Sequence, residues 1–318
     1  MLAHVTNASF TAVEARASRA CTAQQLADAL LGSKTMARRV LAERRLCSAR
    51  DGRVLVGASR VAAGEGVILR LATPDGADDL LAEPARSFEP ARILWHDRFA
   101  LAADKPAGLL VHGDGTGAAT LTDSVRAALC RMAHERDWPY VPVAQAVNRL
   151  DVDTSGIVLF SLAREFQPTF DALVGNHDGT LRKYYLAIVE GSFPQGPLTI
   201  DAPIARDRHQ AQRMRVGRSG KPSQTRVVCV DRRKGASLVA CRLLTGRRHQ
   251  IRVHLSHAGH PLLGDELYGR ADGPLMLHAA ALGFAHPVTG ERVMLRTEWP
   301  ERFAKLFSYR VVDWSILG

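Results

Sequence analysis

Paired cysteines are the first thing this chain lacks. Its five cysteines, Cys21, Cys47, Cys130, Cys229 and Cys241, are scattered, odd in number and free of any Cys-x-x-Cys pair. That excludes a dense disulfide framework and a thiolate zinc finger, and it leads us to expect a reduced, cytoplasmic protein with packed thiols. No apolar run approaches the roughly 18 residues that span a bilayer, so no membrane partner is expected. The opening MLAHVTNASFTAVEARASRA has no basic start followed by an apolar core, so no secretory signal is read there. There is no internal repeat or low-complexity tract. Acidic residues are in deficit: 32 Asp plus Glu stand against 42 Lys plus Arg, a net charge of +10. Such a balance fits a polyanionic partner, either nucleic acid or an anionic surface, without choosing between them. What remains is an ordinary globular composition, 46% hydrophobic and 23% charged, over 318 residues, enough for two domains.

Charge divides the chain. Residues 1–70 carry 11 Lys/Arg against 5 Asp/Glu, whereas LATPDGADDLLAEPARSFEP (71–90) holds five acids, one arginine and three prolines. The inversion reads as a linker, which puts a domain boundary near residue 88, between units 1–88 and 89–318. In the first unit, TAQQLADALLG has helical spacing and a glycine stop, and SKTMARRVLAERRL starts at an N-cap serine. RVLVG and GVILRL read as short strands. The basic helix, with Lys34, Arg38, Arg39 and Arg45, is either an RNA-facing surface or a solvated one. In the second unit, ILWHDRFALAADKPAG reads as two strands, and Thr120 with Asp123 as a capping box opening a helix to about Asp137. Ile157–Ala163, YYLAIVEG, TRVVCVD, SLVACRLL and HQIRVHL have strand composition. Strands outnumber crossover helices, so the expected fold is α+β, with a mixed, mostly antiparallel sheet flanked by helices and loops.

Chemistry concentrates in two stretches. AVNRLDVDTSG (146–156) places Arg149, Asp151 and Asp153 before an apolar run. It reads either as a turn, since Asp, Thr, Ser and Gly bond their own backbone, or as a reactive carboxylate on a loop held by a sheet. As a strand, Asp151 and Asp153 would stand roughly 6.6 Å apart. That separation would suit a glycosidase acid pair, although the basic segments would then have no role. LTGRRHQIRVHLSHAGHPLLGDELYG (244–269) alternates Ile251, Val253 and Leu255 with Gln250, Arg252 and His254, so as a strand it puts Arg252 and His254 on one face. Its four histidines fit neither a metalloprotease helix nor a finger, and ordinary packing is the simpler reading for His254, His257 and His260. A further stretch, 205–226, has seven Lys/Arg, one Asp and no apolar periodicity. It reads as a loop or ribbon laying Arg213, Arg215 and Lys221 along an RNA backbone, or as a solvated loop.

Taken together and in order, DKPAGLLVH, NRLDVDTSG, RKYYLAIVEG, GKPSQT, LTGRRHQIRVHLSHAGHPLLGDELYG and LHAAALGFAHPVTGE resemble an RluA-type RNA pseudouridine synthase over residues 91 to about 298. The first unit resembles the small RNA-binding domain of the ribosomal-protein S-four type, through S-K-T-x-A-R-R and GEGVILRL. The resemblance implies isomerisation of uridines in structured RNA, with large-subunit ribosomal RNA favoured over transfer RNA. It implies no cofactor and no metal, and a monomer is expected. It assigns Asp151 as the essential aspartate, Arg252 as its partner and Tyr185 as the tyrosine that stacks on the flipped base, with Tyr184 the competing candidate. Arg149, Arg247, His249 and Gln250 are then expected to meet RNA. One departure stands out: the family's usual His-Arg-Leu-Asp reads Asn148-Arg149-Leu150-Asp151 here. Asn148 is the sole support for the alternative, a catalytically lapsed RNA-binding or ribosome-assembly protein.

Overall fold

The computed structural model describes residues 2–73, 90–175 and 180–317. Most of the expected linker, and the boundary near residue 88, lies outside the described residues. The first unit is a four-stranded antiparallel sheet in the order Ala3–Ala8, Ala12–Ala17, Gly66–Arg70, Leu46–Ser48, packed against two helices. Helix Ala23–Leu31 begins at a Thr22–Gln25 capping box and ends at Gly32, whose φ of 62° is the left-handed stop that glycine supplies. Helix Lys34–Ala42 begins at Ser33, whose hydroxyl accepts the Met36 N–H.

Two expectations for this unit change. The opening residues, read above only for what they lack, form a hairpin whose Val13, Ala15 and Ala17 point inward. RVLVG is not a strand: Val54 makes one isolated bridge to Cys47, and the ladder runs through Leu46–Ser48 instead. The hairpin already supplies two strands for the helices to pack on, so Val54 and Val56 stay exposed.

The second unit is built on a ten-stranded sheet. Its main path runs 197–201, 224–233, 236–243, 181–190, 277–285, 155–161, 100–105, 92–96. Among the described strands of this sheet only Ser155–Ser161 and Leu277–Ala285 run parallel; the other pairs are antiparallel. The parallel contact is tight. Gly156 has φ 114°, and a Cβ there would stand 2.2 Å from the Ala279 carbonyl oxygen, so glycine is obligatory at the end of the DTSG turn. Helix Leu121–Glu135 begins at the expected Thr120–Asp123 box.

HQIRVHL is a helix, Gln250–His257, not a strand. Ile251 and Leu255, four apart, join the core beside Tyr185, while Val253 on the opposite side packs with Ile204 and Tyr268. His254 is fully buried between the Thr225 hydroxyl and the Ala202 carbonyl. A short helix buried on every side carries no polar stripe, so its alternation imitates a strand.

The two units share a core. Val13, Leu26, Leu31 and Val40 belong to one apolar cluster with Phe99, Phe166 and Phe170. Around it the Arg98 guanidinium and the Tyr140 hydroxyl donate to backbone carbonyls of the Ser9–Phe10 turn. Buried Glu165 accepts from Arg45 and from the Ala72 N–H. No helix among the described residues is long and apolar enough to cross a membrane.

Candidate active site

Asp151 sits in a turn, not on a strand: the Thr154 N–H donates to the Asp151 carbonyl, 3.1 Å. The strand spacing behind the glycosidase alternative therefore does not apply. Three devices hold this turn. Leu150 is tucked between two apolar clusters. Asn148, buried, accepts the Leu159 N–H through Oδ1 at 2.8 Å and donates to the Ile157 carbonyl at 3.5 Å. Lys105, 1% exposed, caps three carbonyls, those of Pro106, Leu109 and Val152, at 2.6–2.9 Å. Burial pushes the Lys105 ammonium down to about 8, although Asp153 and Asp151 pull the other way.

The departure at Asn148 thus has a local explanation. Its amide faces the backbone of Ser155–Ser161 and acts as a structural clip, a task that needs no charge. Nothing in its position removes a group from the Asp151 carboxylate.

Asp151 keeps 28% of its side chain exposed. Arg252 Nη1 lies 3.5 Å from its Oδ2, and His249 Nε2 lies 3.8 Å from the same atom. Arg252 is held more firmly elsewhere. Its Nε and Nη2 donate to the two oxygens of fully buried Asp265 at 2.8 and 2.7 Å, a two-point grip. Burial alone would lower the Arg252 pKa, but its hydrogen bonds to Asp265 and the charges of Asp265 and Asp151 raise it, so the guanidinium stays charged. Asp265 is itself fixed by N–H groups of Leu267 and Tyr268. The Tyr268 ring lies 5.2 Å from the Arg252 guanidinium, and its hydroxyl is 2.9 Å from His249 Nδ1. Burial lowers the His249 pKa, with Asp151 opposing.

Tyr185 is 6% exposed and packs on the Asp151 side of the sheet with Ile251 and Leu255. Burial, reinforced by the Asp151 charge, drives its phenol well above the usual tyrosine range. It therefore offers a ring and a protonated hydroxyl, not a phenolate. Tyr184 faces the other side, against Trp314.

The other expected contacts divide. Arg149 is exposed beside His112. Arg213 and Arg215 lie on a ribbon of Ile204–Arg206 and Met214–Val216, and Lys221 follows it, exposed. Arg247 is half-buried and donates to the Pro222 carbonyl. Gln250 is 2% exposed, and its amide bonds Thr245, the Arg247 N–H, the Gln224 carbonyl and Thr225. It shapes the loop rather than the surface. In the first unit Lys34 and Arg38 are exposed, Arg39 pairs with Glu43, and Arg45 is bound to Glu43 and Glu165. Lys34, Arg38 and Arg39 stay on that unit's surface, whereas Arg45 is a staple between units. No group of three or more His, Cys, Asp or Glu among the described residues could hold a metal ion.

Reading the residues missed Asp265, Tyr268 and the capping role of Lys105. The first had a signal. A buried arginine needs a buried carboxylate, and Asp265 stands 13 residues from Arg252 in the same quoted stretch.

Comparison with known proteins identifies the chain's relatives. Residues 100–257 match the family model of RNA pseudouridylate synthases. "Uncharacterized RNA pseudouridine synthase YlyB" of Bacillus subtilis is 36% identical over 274 residues, 81% of this chain and 85% of that protein. "Ribosomal large subunit pseudouridine synthase D" of Nitrosomonas europaea is 36% identical over 230 residues, 68% of this chain; the match spans 64% of that relative's length, just under two thirds. Among solved structures, "Human RNA Pseudouridylate Synthase Domain Containing 1" superposes with a TM-score of 0.53 at 28% identity, covering 67% of this chain and 84% of that one.

Proposed function

This chain belongs to the RNA pseudouridylate synthase family, and on that premise we propose that it isomerises uridines of large-subunit ribosomal RNA to pseudouridine, with Asp151 as the essential carboxylate. The observation that carries the reading is Asp151 itself: a partly exposed carboxylate, set by a turn, facing an anchored arginine and the His249 imidazole. The reaction breaks the bond from uracil N1 to the ribose and makes one from C5; the C5 proton is released and N1 takes up a proton from solvent. Heavy atoms and electrons balance within the substrate and the protons through solvent, so the step needs no oxidant. Whether the carboxylate attacks covalently or drives elimination at the sugar, it must be ionised and aimed, which Arg252 promotes. The target base has to leave its stack to reach this depth, at a cost of a few kcal/mol. In this reading the Tyr185 ring receives it, and the exposed Arg149 meets a phosphate of the displaced strand.

Ribosomal RNA is the substrate we favour, because a relative carries that name and because the first unit adds a basic helix. We read that unit as an S-four-like RNA-binding domain, and the 204–216 ribbon as a second phosphate-binding surface. A cytoplasmic, monomeric enzyme is part of the same reading. Mapping pseudouridines in ribosomal and transfer RNA from cells with and without the gene tests it. Loss of one or more large-subunit sites is expected; losses confined to transfer RNA would contradict the substrate.

A further inference from the structure

Beside the packing of Ile204 on Val253, the 204–216 ribbon meets the site at Tyr268. Tyr268 is 7% exposed, and Ile204 and Val253 pack with it, with Met214, Val216 and Leu267 against them. The Arg213 guanidinium lies 5.2 Å from its ring centroid, and so does the Arg252 guanidinium. The Tyr268 hydroxyl accepts the Met214 N–H at 2.8 Å and lies 2.9 Å from His249 Nδ1. Arg213 and Met214 belong to the ribbon. Arg252 and His249 each lie within 4 Å of the Asp151 carboxylate. Each of these polar or cationic contacts thus joins Tyr268 either to the RNA-facing ribbon or to the groups that set Asp151.

We propose that Tyr268 is a positioning residue that couples seating of the 204–216 ribbon on RNA to the placement of Arg252 and His249 around Asp151. The inference rests on the reading that Asp151 acts on a uridine in RNA. The mechanism is local. A ribbon that lifts withdraws the Met214 N–H from the hydroxyl and the Arg213 plane from the ring. Tyr268 is then free to tilt, and the imidazole and guanidinium that lean on it lose their reference surface. A ribbon held down by phosphates fixes all of them. Binding energy gained away from the reacting base is thereby spent on geometry at the base, so it appears in the rate at saturating RNA rather than in affinity.

Two variants of the full chain separate this from plain RNA contact or plain packing. Tyr268→Phe keeps the ring and removes the hydroxyl. Arg213→Lys keeps a phosphate-seeking charge and removes the planar face that lies over the ring. For each, the dissociation constant for a ribosomal RNA transcript and the single-turnover rate at saturating RNA are measured, the latter as tritium release from 5-tritiated uridine. Tyr268→Phe should lower the saturating rate about tenfold, the worth of one hydrogen bond, with affinity within about twofold. Arg213→Lys, on a half-exposed residue that leaves the core intact, should show the same split at roughly threefold, the scale of a weak cation–π contact. Normal saturating rates in both variants would overturn the coupling. So would weaker binding with an unchanged saturating rate, which would make these residues RNA contacts only. A wild type that binds the transcript but releases no tritium overturns the Asp151 reading, and the coupling with it; an active wild type with unaffected variants overturns the coupling alone.

Discussion

Two loops meet at the Arg252 guanidinium, and they treat their aspartates in opposite ways. In 264–269, Asp265 is fully buried, grips Arg252 at 2.7 and 2.8 Å and takes two backbone N–H groups as well. In 148–156, Asp151 stands 3.5 Å from the same guanidinium and keeps 28% of its side chain exposed. One carboxylate is saturated with hydrogen bonds and cannot react. The other has a cation nearby and capacity to spare. The difference shows how a short constellation divides labour: the anchor fixes the arginine, and the arginine, so fixed, orients the carboxylate that substrate can reach.

Removing charge from each loop should therefore give different failures. Asp151→Asn is nearly isosteric at a partly exposed site. Its single-turnover rate should fall by more than about a thousandfold, as loss of an essential nucleophile or base does, with RNA affinity and melting temperature little changed. Residual activity above that level would erase the distinction between the loops. Asp265→Asn should instead be a stability variant. Breaking a buried, bidentate pair costs about 3–5 kcal/mol, read by denaturant titration, and the rate should fall as Arg252 loses its anchor. An Asp265→Asn protein of normal stability and lost activity would mean that Asp265, too, takes part in the chemistry.

The third test concerns what holds the Asp151 loop. Lys105→Met leaves three carbonyls without their donor, so it should lower stability by about 2 kcal/mol or more and slow the reaction with it. The sign of its pH dependence is fixed by the direction of the shift. Lys105 titrates near 8 in the folded chain and near 10.5 when unfolded. Between those values the unfolded chain binds the extra proton, so raising pH through the window favours the folded state. The stability gap between wild type and Lys105→Met should widen between about pH 8 and about pH 10.5; a constant gap would place Lys105 outside this linkage. The smallest effect is expected at Asp153, which is exposed beside the turn. Asp153→Asn should keep the rate within about threefold, a change of well under 1 kcal/mol. A defect as deep as that of Asp151→Asn would restore the paired-carboxylate alternative.

Much of this is legible in the sequence. The strands at 92–105, 155–161, 181–190 and 224–243 and the Thr120 capping box carry strong local signals, because each has one period and one clear stop. The Asp151–Arg252 partnership and the Asp151-facing Tyr185 came from the resemblance, and the geometry brings all three together. What failed was short or fully buried. Gln250–His257 alternates like a strand because neighbours surround it on every side. The hairpin strands Ala3–Ala8 and Ala12–Ala17 hold five alanines and only three β-branched residues, Val5, Thr6 and Val13, a weak strand signature. Arg45 and Gln250 look like surface contacts in sequence, and only their long-range partners, Glu165 at one and Gln224–Thr225 at the other, make them structural. Charge balance cannot separate an arginine that meets RNA from one that staples two units together.

The chemistry itself is tested most directly by one assay on the purified full chain. Ribosomal RNA transcript carrying 5-tritiated uridine is incubated with enzyme in the presence of a chelator, and released tritium is compared with pseudouridine recovered after nuclease digestion. One tritium released per pseudouridine formed is the expected result, in wild type and not in Asp151→Asn. RNA that binds tightly, yet yields neither tritium nor pseudouridine from the wild-type chain, would contradict it and leave an RNA-binding protein with an idle carboxylate.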